Sequence, residues 1–111
     1  MTARPVIELV YDPDCPNVDR ARVAIREALT KSGSPAVWRE WRRDDPATPA
    51  PLARLGSPSV VVNGRDVWND EKESAAANAN SCRVYVDECG RLAGAPSAQL
   101  ILDAISQAQA P

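Results

Sequence analysis

Histidine is absent from this 111-residue chain. Its absence excludes Ser/His/Asp and Cys/His catalysis and any zinc site with imidazole ligands. Phenylalanine is absent too, so Trp38, Trp41 and Trp68 supply most of the aromatic packing. There is no excess of positive charge: 13 Lys and Arg stand against 15 Asp and Glu, for a formal net charge of -2. That balance gives no support to nucleic-acid binding, which wants a basic face. The arginines Arg20, Arg22, Arg26, Arg39, Arg42 and Arg43 are interleaved with acids and read as solvated faces. No apolar run approaches a membrane span, and MTARPVIELV enters a strand-like run without a signal-peptide core. No membrane partner is expected, and the expected compartment is the cytoplasm, where thiols stay reduced. Cysteine is scarce and odd in number: Cys15, Cys82 and Cys89. Three thiols do not make a structural disulfide framework.

The composition, 44% hydrophobic and 25% charged, fits a globular chain with one modest core, read as a single domain over residues 1–111. VIELVY (6–11) is a short β-branched run and predicts a buried strand. From Asn17 the pattern turns helical, with Val18, Ala21, Ile25 and Leu29 on one face and a stop at Gly33. AVWREW (36–41) predicts a second strand, with Val37 and Arg39 on one face and Trp38 and Glu40 on the other. RRDDPATPAP is a proline-rich loop, after which Thr48 can cap a short helix over residues 49–55. SVVV (59–62) predicts a third strand, and Asn63-Gly64 a hairpin turn returning through RDVW (65–68). Asp66 reads as a strand-edge or capping group. The polar, alanine-rich stretch 69–81, with Asp70, Glu71 and Glu73, reads as loop or a turn of helix. CRVYV (82–86) looks strand-like, and 87–90 a turn. The chain ends in a helix with Pro96 early and Leu100, Ile101, Ala104 and Ile105 inward. A strand–helix–strand unit, a short helix, a hairpin and a helix predict a small α/β sandwich, its first two strands parallel and its last two antiparallel.

Two stretches carry chemistry. In YDPDCPNVDRAR (11–22), Cys15 stands before Pro16 at the helix start. With Pro16 as the first helical residue, Cys15 is the expected N-cap, facing the backbone N–H groups of Asn17 and Val18 at the positive end of the helix dipole. That placement favours thiolate over thiol, while Asp12, Asp14 and Asp19 oppose it. In GSPSV (56–60), Pro58 falls at the first residue of a strand, where an X–Pro bond is sometimes cis.

Taken together these stretches resemble the thioredoxin/glutaredoxin superfamily, over about residues 5–68 and the last helix. Closer still, D-x-C-P-N, G-S-P-S-V-x-V-x-G-x-D and C-R-x-Y are similar to small bacterial thioredoxin-like proteins loosely associated with mercury-resistance functions. The resemblance implies a thioredoxin-like three-layer sandwich with a central mixed sheet of about four strands. It implies that Cys15 is the reactive cysteine, that Pro58 is cis and packs beside it, and that Pro16, Asn17, Ser57 and Pro58 meet an extended substrate. It implies no cofactor, and a partner that is the thiol or disulfide of a protein or small molecule.

The chain departs from the dithiol pattern at one place. Residue 18 is valine, so CPNV (15–18) has no local resolving cysteine. Cys82 and Cys89 remain, and three cysteines permit three pairings. Cys82, in the stretch the resemblance includes, is the favoured resolving thiol. The chain also lacks the Cys-Gly-Phe-Ser pattern of monothiol glutaredoxins. Three readings follow: thiol–disulfide exchange, a soft-metal or organomercurial thiolate binder, and a binding module that keeps the fold without redox chemistry.

Overall fold

The structure is a computed structural model, and it describes residues 5–68, 85–86 and 89–109. Cys82, the residues 82–84 of the fifth candidate strand and the acidic stretch 69–81 lie outside them. The element order is β1 (Ile7–Tyr11), α1 (Val18–Lys31), β2 (Arg39–Arg42), α2 (Ala50–Ala53), β3 (Ser59–Val62), β4 (Arg65–Asp66), β5 (Tyr85–Val86), β6 (Leu92–Ala93) and α3 (Ala98–Gln109). Four strands form one mixed sheet in the order β2-β1-β3-β4, and β5 and β6 form a separate pair. β1 and β2 are parallel, with Leu9 beside Glu40 and Tyr11 beside Arg42. β3 runs antiparallel to β1, and β4 antiparallel to β3.

The pleat divides the sheet's side chains between two faces. Ile7, Leu9, Val60 and Val62 join Val18, Ala21, Ile25 and Leu29 of α1 and Ile101 and Ile105 of α3 in one buried cluster. α1 and α3 pack on each other over this face, and α3 also meets β3. Val10 and Val61 point the other way and are equally buried, so β3 is covered on both sides and all four of its residues lie inside. A strand covered on both faces reads as an unbroken apolar run, which is what SVVV is.

The turn at Asn63-Gly64 takes positive φ at both residues, 50° and 82°. That is the backbone a tight primed hairpin turn demands. Asn63 Oδ1 also accepts the Val6 N–H at 2.7 Å, tying the turn to the chain before β1. The return ladder is shorter than residues 65–68: β4 pairs only Arg65 and Asp66, and Val67 adds one N–H bond to Val60. Asp66 caps locally, its carboxylate accepting the Trp68 N–H at 3.1 Å.

Four expectations shift. The second strand is 39–42 rather than 36–41, because Pro35 and the Val37 N–H turn against each other before it and leave Val37 72% exposed. Trp38 and Glu40 do share a face, joined by a 2.9 Å bond from the indole N–H. α2 is one short turn, and Thr48 does not cap it. Its hydroxyl donates instead to the Arg42 carbonyl, closing the β2–α2 loop. Arg43 is not on a solvated face, since its side chain is only 9% exposed. α1 begins at Val18, so Cys15 is not its N-cap and Pro16 is not its first residue.

Ser97, one residue before α3, is a working cap: its hydroxyl accepts the Leu100 N–H. β6 had no signal in the sequence, being two residues whose order comes from pairing with Tyr85 and Val86. Among the described residues no helix is long and apolar enough to cross a membrane.

Candidate functional site

The parallel register between β1 and β2 ends with Tyr11 beside Arg42, so the next residues, Asp12 and Arg43, leave the sheet side by side. Arg43 donates its backbone N–H to the Tyr11 carbonyl at 2.8 Å. Its guanidinium Nη1 reaches both oxygens of the Asp12 carboxylate, at 3.0 and 2.8 Å. Nε makes a longer contact, 3.4 Å, with the Ala53 carbonyl at the end of α2.

Asp12 is held at two further points. Its N–H donates to Ser57 Oγ at 2.9 Å, and its carbonyl accepts the Cys15 N–H at 3.0 Å. The Asp12–Cys15 turn therefore closes before the helix starts. A second turn at Pro16-Asn17 follows, and the first helical bond runs from the Ala21 N–H to the Asn17 carbonyl. Proline still disfavours helical backbone at the residue before it, which keeps Cys15 in the loop. The cap is Asn17, although its side chain caps nothing. That side chain lies directly against Gly94, so close that a methyl group on Gly94 would overlap it.

Cys15 is half-buried, carries a free thiol and packs against the edge of the core cluster. Pro16 is exposed and Asn17 half-buried. Ser57 is fully buried, stands in a single-residue backbone bridge, and precedes a cis peptide bond to buried Pro58. The Pro58 carbonyl accepts the hydroxyl of Tyr85, itself 1% exposed, at 2.5 Å. The Tyr85 ring stands edge-on to Trp68, with centroids 5.3 Å apart. The structure thus links the Cys15 loop and Ser57 through Asp12, and ties β5 to Pro58. Cys89 is an exposed residue between β5 and β6.

On the α1 side, Arg22 forms a bidentate bond with Glu40 at 2.9 Å for each arm and a third bond to Asp19 at 2.7 Å. Its guanidinium also lies 5.4 Å from the Tyr11 ring centre. The Arg22 hydrogen bond holds the Glu40 carboxyl below its usual range, against an opposing push from desolvation. The same bond raises the pKa of Arg22. An open groove of about 420 Å³ runs beside Asp19, Val23, Glu27 and Ala98 and contains none of the expected site residues. Among the described residues no three metal-ligating side chains converge.

Arg43 and Asp12 are what sequence reasoning missed as a pair. They are 31 residues apart, and only the parallel register brings them together. The Tyr85 bond to Pro58 had no sequence signal either, since it spans 27 residues. No family model matches the chain, and neither does any curated protein or solved structure.

Proposed function

We propose that this chain is a thioredoxin-like, glutaredoxin-like thiol protein in which Cys15 carries thiol–disulfide exchange. The observation that carries the reading is local. A free, half-buried thiol sits in the β1–α1 loop, and its backbone is tied through Asp12 to Ser57, the residue before Pro58. The mixed sheet supports it, with a parallel strand–helix–strand unit followed by an antiparallel hairpin and a last helix on α1. Half-burial serves such chemistry, since the sulfur is reachable by a partner's sulfur yet held in one place.

The exchange runs in two displacements. The Cys15 thiolate attacks one sulfur of a partner disulfide; a Cys15–S bond forms, and the other partner sulfur leaves as thiolate and takes up a proton. A second thiol of this chain then attacks the Cys15 sulfur, closing an intramolecular disulfide as the remaining partner sulfur leaves as thiolate and takes up a proton. An external thiol attacking the partner's sulfur instead releases Cys15 as thiolate. Cys82 is the proposed resolving thiol. Exposed Pro16 and half-buried Asn17 are the surface proposed to meet the partner, with buried Ser57 and Pro58 backing the loop beneath them. A reducing, cytoplasmic compartment is part of the same proposal.

Incubation of the reduced protein with glutathione disulfide, followed by peptide mass spectrometry, tests it. The expected product is a glutathione adduct on Cys15 that is transient in the wild type and persists in Cys82→Ser. No adduct on Cys15, or adducts on Cys89 alone, would overturn the reading.

A further inference from the structure

We propose that the Asn17 carboxamide is a specificity-determining group that pairs with a peptide amide of the disulfide partner, and that Gly94 gives it the seat from which it does so. This rests on the reading of Cys15 as the exchange thiol. Asn17 lies two residues beyond Cys15, so their Cα atoms are within about 7 Å of each other. Asn is among the residues whose side chains most often cap a helix. Asn17 holds the cap position of α1, yet its side chain caps nothing. Among the described residues that carboxamide has no hydrogen-bond partner. The side chain is half-buried, and its polar atoms are not shut away from solvent.

Its place is set from the other side. The carboxamide occupies the space that any side chain at position 94 would fill, so glycine there is what admits it. Gly94 is itself anchored. It follows β6, whose Ala93 pairs with Tyr85, and it precedes buried Ala95 and Pro96. Asn17 is therefore seated on fixed backbone beside the thiol loop, with its donors and its acceptor left for a group outside the chain. A peptide amide offers the matching acceptor and donor. The partner is accordingly a peptide disulfide rather than a disulfide without amides.

The test compares disulfides with and without amides, in a background of Cys82→Ser and Cys89→Ser. Attack of Cys15 on glutathione disulfide forms a Cys15–glutathione bond and releases one glutathione thiolate, which takes up a proton. Attack on hydroxyethyl disulfide forms the corresponding bond and releases mercaptoethanol. Both adducts are followed by mass spectrometry after acid quenching. Asn17→Ala should lower the ratio of the glutathione rate to the hydroxyethyl rate about two- to tenfold, the worth of one hydrogen bond. Gly94→Ala, which turns the carboxamide aside, should lower the same ratio, and adding it to Asn17→Ala should lower it no further. Neither substitution changes a charge, and an effect on the thiol itself slows both disulfides alike, so the ratio reads recognition alone. The oxidised dimer of acetyl-Gly-Cys-Gly-amide is run alongside. A larger Asn17 effect there than with glutathione names a protein as the partner, and the reverse names glutathione. An unchanged ratio for both amide-bearing disulfides overturns the proposal, as does an equal fall with all three. Should one variant fail to fold, the other decides alone. Adducts on Cys15 without an Asn17 effect sink only the recognition role, whereas no adduct from any disulfide sinks the exchange reading itself.

Discussion

The hydroxyl of Tyr85 donates to the carbonyl of Pro58, and both residues are buried. This bond ties Tyr85 of β5 to the residue just before β3. Replacing Tyr85 by Phe keeps the ring against Trp68 and leaves a buried carbonyl without that donor. The expected cost is about 1–3 kcal/mol, read from the midpoint of urea unfolding. An unchanged midpoint would mean that water replaces the hydroxyl.

Gly94 and Asn17 predict a coupled pair. A methyl on Gly94 meets the Asn17 side chain directly, so Gly94→Ala must push Asn17 from its place at the start of α1. The atoms it meets are the tip of a half-buried side chain that can turn aside, so the cost should be small, below about 1 kcal/mol. Asn17→Ala opens the space, so the double variant should be more stable than the sum of the two singles. Simple additivity in thermal unfolding would show that the two do not press on each other.

Ile101 is fully buried between α3 and the sheet, and Leu9 lies at the centre of the same cluster. Either residue changed to Ala leaves a cavity and should cost about 2–5 kcal/mol. Val37→Ala, at a residue 72% exposed, should cost far less. Chemical denaturation of the three variants gives the comparison, and equal losses would contradict the placement of the core.

Acid stability should depend on Glu40. Its folded-state carboxyl is held below the ordinary value, mainly by Arg22, with burial opposing. A lowered acid contributes stability that is complete above the unfolded value and is lost as pH falls through the folded one. Glu40→Gln should therefore flatten the acid limb of the stability curve below about pH 4.5 and leave the curve's shape near neutrality alone. Much of the pair faces solvent, so the effect is modest and shrinks with salt. Thermal melts across that range, at low and high salt, check both statements.

Much of the architecture was written locally. VIELVY, SVVV and the 3.6-residue spacing of Val18, Ala21, Ile25 and Leu29 named β1, β3 and α1 with their buried faces. Asn63-Gly64 named the hairpin, because few residues accept positive φ twice in succession. Periodicity and turn chemistry work over a few residues, and there the sequence is explicit. It was less explicit at element ends. Cys15 looked like a helix cap because it precedes proline, yet a turn back to Asp12 closes first and moves the start of α1 to Val18.

What the sequence by itself determined was the set of elements, their inward faces and the position of one thiol in the loop after the first strand. What only the tertiary structure decided was which distant groups meet there. Arg43 looked like one more solvated arginine until the parallel register set it beside Asp12. Ser57 looked like a residue before a proline until its hydroxyl was found holding the same loop. Tyr85 reaches Pro58 only once the chain has folded back upon itself. The reason is physical: hydrophobic periodicity is repeated along a segment and can be read from it, whereas a hydrogen bond or ion pair between separate segments depends on strand register and packing, which no single segment encodes.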